Sequence, residues 1–140
     1  MHSYGAIPIR DASGDVGAVK AALAELAAGR TVLVYPEGSR SADGSMGEFK
    51  RGVGLLMRRA AVTVVPMAVE GASDVWPPSR RWPALRGRLA VKVGEPIPYA
   101  ELMVDGSDAA LARLRREVER LRRDLHRELR ARSGGRWPAR

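Results

Sequence analysis

Thr31-Val32-Leu33-Val34-Tyr35-Pro36-Glu37-Gly38-Ser39-Arg40-Ser41 is the stretch on which the reading of this chain turns. Thr31 to Tyr35 is rich in β-branched residues and reads as a buried strand. Pro36 has no N–H to give a ladder, so it ends that strand. Gly38 allows a tight turn or a close backbone approach to a ligand. A carboxylate, a hydroxyl and a guanidinium thus leave one strand end together. In open α/β sheets ligands gather at the carboxyl ends of strands. Arg40 offers a planar fork suited to phosphate or carboxylate. The alternative is a surface turn with a solvated arginine, and local chemistry does not separate the two.

Upstream, Val16, Val19, Leu23 and Leu26 recur at spacings of three and four. They predict an amphipathic helix, with Asp15 as its N-cap and Gly29 as its C-cap. Gly5 to Ile9 is expected to be a short strand before it. Strand, helix and strand with short links form a right-handed parallel βαβ unit. Downstream, Ser41 to Met46 is polar and reads as a turn. Gly52 to Ala61 suits a helix, and Thr63 to Val69 a strand interrupted by Pro66. Arg88 to Val93 alternates as a half-exposed strand does. The expected fold class is α/β: a mixed, largely parallel sheet with flanking helices, plus a C-terminal amphipathic helix. The expected organisation is an α/β domain over 1–104, a helix over 105–132 and a flexible tail over 133–140.

Beyond the turn come Gly47-Glu48-Phe49-Lys50-Arg51-Gly52, Val64-Val65-Pro66-Met67-Ala68-Val69-Glu70-Gly71 and, near the start, Gly5-Ala6-Ile7-Pro8. In this order and spacing, residues 5–98 resemble the glycerolipid acyltransferase family, whose type members acylate 1-acylglycerol-3-phosphate. Tyr35–Ser41 is similar to the family's third block, Phe-Pro-Glu-Gly-Thr-Arg-Ser, and Phe49–Lys50 to the segment that follows it. These two together are specific; the other blocks alone are weak. The resemblance implies a glycerol-3-phosphate acyltransferase-like fold. It also implies transfer of an acyl chain from acyl-CoA or acyl-carrier protein to a lysophosphatidic-acid-like acceptor. It places Arg40 on the acceptor phosphate with Lys50 assisting. Glu37, Gly38 and Ser39 shape the acceptor site, and Pro66 shapes the acyl side. Apart from the resemblance, the plainer reading of Glu37 is an internal ion pair that orients Arg40, and that of Lys50 is a solvated loop lysine. The family's second block carries a phosphate-binding Arg; here Arg10 stands one residue early and Asp11 takes its place.

The family's first block is an Asn-His-x-x-x-x-Asp pattern whose His is the general base. His2 has Ile7 at the Asp spacing, and His126 lies far downstream. The expectation is therefore that the N-terminal catalytic block is missing, that no residue here is catalytic and that the chain is truncated or inactive. The alternative is a non-catalytic protein that binds phospholipid or acyl chains.

Composition bounds the rest. The chain has 140 residues, one domain's worth, and 45% of them are hydrophobic, which excludes a disordered composition. Cysteine is absent and there are two histidines, so disulfides and thiolate or histidine metal sites are not expected, nor is any cofactor. No apolar run approaches the ~20 residues of a membrane span. A cytoplasmic chain, soluble or peripheral to the inner membrane face, is expected. The net charge of +8 favours anionic partners. Phe49 is the only phenylalanine and no nucleic-acid module is visible, so nucleic acid is not an expected partner.

Two further segments matter. Ala72 to Gly87 holds Trp76-Pro77-Pro78 and Trp82-Pro83 beside Arg80, Arg81 and Arg86. Tryptophans among arginines suit a membrane interface; the plainer expectation is a proline-rich loop whose rings cover core edges. From Ser107, Leu111, Leu114, Val118, Leu121, Leu125 and Leu129 form one stripe at helical spacing. The stripe is expected to pack on the domain or on a second copy in a homo-oligomer. An anionic membrane surface is the alternative partner, disfavoured by the acids interleaved among its arginines.

Overall fold

The computed structural model describes residues 6–7, 16–41 and 43–138. His2, Arg10, Asp11, Asp15 and most of the expected Gly5–Ile9 strand lie outside the described residues. Five helices and two strands follow in chain order: α1 (Val16–Ala27), α2 (Arg51–Ala60), β1 (Met67–Glu70), α3 (Ala72–Val75), β2 (Ala90–Val93), α4 (Tyr99–Leu102) and α5 (Gly106–Arg132). α1 ends in a left-handed Gly29 with φ of 75°, and the Arg30 N–H donates to the Glu25 carbonyl at 3.0 Å. This closes the helix in the Schellman manner.

The sheet corrects the expected fold class. Among the described residues it has two strands, and they are antiparallel: Met67 faces Val93, Ala68 faces Lys92, Val69 faces Val91 and Glu70 faces Ala90. Val64 and Ile97 extend the pairing as an isolated bridge. The remainder is mostly helix, so the domain is not a largely parallel α/β sheet. The physical reason is the connection. Residues 71–89 are long enough for a parallel crossover, but they hold one turn of helix and a loop closed by the Ala84 N–H on the Val75 carbonyl, and β2 comes back antiparallel beside β1. Among the described residues Thr31 to Tyr35 forms no ladder, and Leu33, Val34 and Tyr35 are exposed. A β-branched run becomes a strand only when another backbone is there to pair with it.

The core lies where α2, α4 and α5 meet. Met57, Ile97, Leu102, Ala110, Leu111 and Leu114 are buried together, with Phe49, Val53, Val64 and Met103 around them. Phe49 thus anchors the functional segment to the core. α2 crosses α5 at Gly54, where a Cβ would come within 3.0 Å of the Leu111 side chain. Farther along α5, Leu121 fits beneath Gly94 and Pro66. The leucine stripe is therefore spent within the chain, first on α2 and then on the ribbon.

The ribbon meets α5 with its more polar face. Glu70 contacts His126 at 3.2 Å and Lys92 pairs with Glu128, while Ala68 is buried between them. The opposite face carries Met67, Val69, Val91 and Val93, all exposed. Residues 133–138 turn back on the end of α5: the Ser133 hydroxyl donates to the Trp137 carbonyl at 2.8 Å and accepts from the Trp137 N–H at 2.9 Å.

Candidate functional site

Tyr35 to Gly38 forms a β-turn with Pro36 at its first corner, where a fixed φ is an advantage. The Gly38 N–H donates to the Tyr35 carbonyl at 3.1 Å. Gly38 has φ of 71°, and a Cβ there would pack 3.5 Å from Lys50 Cγ and Cε. The lysine stem therefore lies against the glycine. Two hydrogen bonds bind the turn to the segment before α2. The Gly47 N–H donates to Glu37 Oε2 at 2.6 Å, and the Lys50 N–H donates to the Pro36 carbonyl at 2.8 Å. Glu37 thus holds a backbone amide; the expected ion pair to Arg40 is not among the contacts.

Arg40 reaches across to the loop after α3. Its Nη1 donates to the carbonyls of Pro77, Trp76 and Arg80 at 3.2, 3.4 and 3.5 Å. Its guanidinium lies 4.7 Å from the centre of the Trp76 ring, and Trp76 Nε1 donates to the Arg80 carbonyl at 3.1 Å. The carbonyls orient the guanidinium without neutralising it, and the side chain is exposed. Ser39 is exposed beside it. Glu37, Gly38 and Lys50 are therefore brought together, and Arg40 is held by the carbonyls of the 76–80 loop. Nothing in the local sequence signals Arg40's partners, which lie 36 to 40 residues away.

The loop between the two segments has its own fold. Asp43 Oδ1 accepts from the Ser45 hydroxyl at 2.6 Å, the Ser45 N–H at 2.9 Å and the Ser41 hydroxyl at 2.9 Å. These donors, Ser45's hydroxyl foremost, hold the Asp43 carboxyl down to about 2. Arg122 on α5 donates to the Gly44 carbonyl at 2.5 Å and fixes the loop to the helix. The His126–Glu70 contact is another pairing that sequence reasoning missed, because it joins residues 56 apart. Among the described residues no group of three His, Asp or Glu is placed to hold a metal ion. No helix there is long and apolar enough to cross a membrane.

Relatives share this chain's pattern. A chloroplastic 1-acyl-sn-glycerol-3-phosphate acyltransferase of Arabidopsis thaliana is 30% identical over 99 residues, covering 69% of this chain and 28% of that protein. The human 1-acyl-sn-glycerol-3-phosphate acyltransferase alpha is 34% identical over 95 residues, covering 67% of this chain and 33% of that one. The crystal structure of the 1-acyl-sn-glycerophosphate acyltransferase PlsC from Thermotoga maritima superposes with a TM-score of 0.66 at 27% identity. That likeness covers 74% of this chain and 42% of that one. The chain thus spans about a third or less of the length of these two curated relatives.

The acyltransferase family model matches residues 1–70. Because the match starts at the first residue, it overturns the expectation that the family's N-terminal block is missing. That expectation rested on one literal string, a histidine and an aspartate at fixed spacing, whereas the family pattern extends over the whole segment. On that match, which covers half of its length, the chain belongs to the acyltransferase family.

Proposed function

We propose that this protein transfers an acyl chain from acyl-CoA or acyl-carrier protein to the free hydroxyl of a lysophosphatidic-acid-like acceptor. General acyl transfer follows from the family; donor and acceptor are the further step. The observation that carries it is the clamp between Glu37 and Gly47 and between Pro36 and Lys50. It seats the Tyr35–Ser41 turn on the Phe49–Lys50 segment and leaves two cations, Lys50 and Arg40, around one glycine turn. A phosphomonoester acceptor needs such cations, because fixing the acceptor supplies much of the rate. Arg40 is the main phosphate contact, Lys50 assists, and Arg10 is assigned to the same phosphate from the N-terminal segment. Glu37, Gly38 and Ser39 shape the acceptor site, and Pro66, buried against α5, shapes the acyl side.

Transfer requires a base to take the proton from the acceptor hydroxyl. The oxygen attacks the thioester carbonyl, the tetrahedral adduct expels the thiolate, and the proton passes to the sulfur. His2 is the only histidine within the residues that the family model matches, and it is the candidate base. The protein is read as working at the cytoplasmic face of a membrane, where both substrates meet.

The test is a purified-chain assay with acyl-CoA and lysophosphatidic acid, product detected by mass spectrometry. His2→Ala should lower kcat by about 10²–10⁴, while His126→Ala keeps the wild-type rate. Equal rates in wild type and His2→Ala would remove His2 from the reaction. Acceptor binding without any turnover would favour a non-catalytic phospholipid-binding protein instead.

A further inference from the structure

Residues 75–94 contain no acid, yet they carry Arg80, Arg81, Arg86, Arg88 and Lys92. Lys92 is paired with Glu128. The side chains of the four arginines make no hydrogen bond or ion pair among the described residues. Between them Trp82 is 74% exposed, and Leu85 is fully exposed. The rings were expected to cover core edges; Trp82 does not. The loop is nonetheless a built feature. Its base is closed by the Ala84 N–H donating to the Val75 carbonyl at 2.7 Å and by the Arg80 N–H donating to the Pro77 carbonyl at 3.0 Å. Arg40 and Trp76 hold the same base from the side.

The positive surface continues onto the end of α5. Arg88 shares an open cleft of about 600 Å³ with Arg132 and Arg136, floored by Leu129 and Trp137. Arg132 has no partner among the described residues, and Arg136 donates through Nε to the Ser133 carbonyl at 3.0 Å. A soluble loop gains nothing by showing an indole and a leucine to water. It does gain where a water–hydrocarbon boundary accepts the rings and anions face the guanidiniums.

We propose that the 77–89 loop, with the Arg88–Arg132–Arg136 cleft, is the surface by which this protein docks on an anionic phospholipid membrane. Trp82 and Leu85 enter the interfacial layer. Arg81, Arg86 and Arg88 meet headgroup phosphates, and the cleft holds one more. Excess positive charge with no acid in the segment matches an anionic surface and no neutral one. Because Arg40 holds the base of this loop, docking brings the candidate acceptor site to the surface in which a lysophospholipid resides.

The test measures binding of the purified protein to vesicles of phosphatidylcholine alone or mixed with phosphatidylglycerol. Donor and acceptor are left out, so its outcome is independent of the transfer reaction. Binding is expected only with phosphatidylglycerol, and it should weaken as salt rises. Arg81→Gln with Arg86→Gln should weaken it about 25-fold, at roughly fivefold per arginine. Trp82→Ser with Leu85→Ser should weaken it at unchanged charge, and brominated lipid should quench wild-type fluorescence more strongly than that of Trp82→Phe. Both double variants change exposed side chains, so equal melting temperatures certify their folds. Equal binding to both vesicle types, or wild-type affinity in either double variant, overturns the proposal. So does a dimer that the Trp82/Leu85 variant dissolves in the absence of any vesicle binding.

Discussion

Arg40 makes contacts within its own chain and is proposed to make a second kind, to phosphate; a single substitution separates the two. Toward its own chain it gives one nitrogen to three carbonyls at 3.2–3.5 Å and lies 4.7 Å over Trp76. One exposed, shared donor at such lengths adds little, and an exposed cation–π contact is worth about 0.5–1 kcal/mol. Arg40→Ala should therefore lower stability by about 1 kcal/mol, or about 2–4 °C in melting temperature for a domain near this size. Toward an acceptor phosphate, in the proposed role, the same guanidinium would form charge-assisted hydrogen bonds, each worth about 1.5–3 kcal/mol. Its loss should weaken acceptor binding roughly 10- to 150-fold. Arg40→Lys keeps the charge without the fork and should recover only part of that affinity. Calorimetry with lysophosphatidic acid below its micellar concentration, beside thermal melts of the same samples, reads both quantities. Unchanged affinity in Arg40→Ala with a melting temperature several degrees lower would make Arg40 a strut of the 76–80 loop and refute its role on phosphate.

Leu121 is 2% exposed beneath the ribbon. Leu121→Ala should cost about 2–5 kcal/mol in urea unfolding, and Leu114→Asp with Leu121→Asp should prevent folding by placing charges in the core. Normal melting of the double Asp variant with loss only of vesicle binding would show that α5 is a membrane anchor. Asp43, held down to about 2 from 3.8, favours its contacts with Ser41 and Ser45 above pH 3.8, and that contribution is lost as the pH falls through about 2. A side-chain NMR titration should place its midpoint near 2 in wild type and higher in Ser45→Ala; a midpoint near 3.8 in the folded protein would show that the serine donors are not formed.

The sequence was most legible where structure is local. Helix spacing from Val16 to Leu26 and from Leu111 to Leu125 needs only the chain itself to be read. The turn at Pro36 and Gly38 likewise follows from two residues' backbone limits. The two strands were read near their places, within Thr63–Val69 and Arg88–Val93, but their antiparallel pairing was not legible, because a sheet is defined by which strands meet. Thr31 to Tyr35 has the composition of a strand but pairs with no other strand among the described residues. Met67 to Glu70 found its partner in Ala90 to Val93, across a loop too irregular to announce an antiparallel return.

The candidate site divides along the same line. Glu37, Gly38 and Lys50 are close in sequence and meet as a motif. Arg40 shares that motif but finds its partners in the 76–80 loop, where Trp76 and the prolines read only as an irregular stretch. The consequence concerns what the arginine can do. A carboxylate partner would have held the guanidinium with its charge spent; three carbonyls and an indole face hold it with the charge intact. A guanidinium held in that way is positioned before any anion arrives. In the proposed role, an incoming phosphate would compete only with long, shared hydrogen bonds and would keep the Coulombic attraction that an ion pair with Glu37 would have reduced. Glu37, by taking the Gly47 amide instead, is what leaves Arg40 uncompensated.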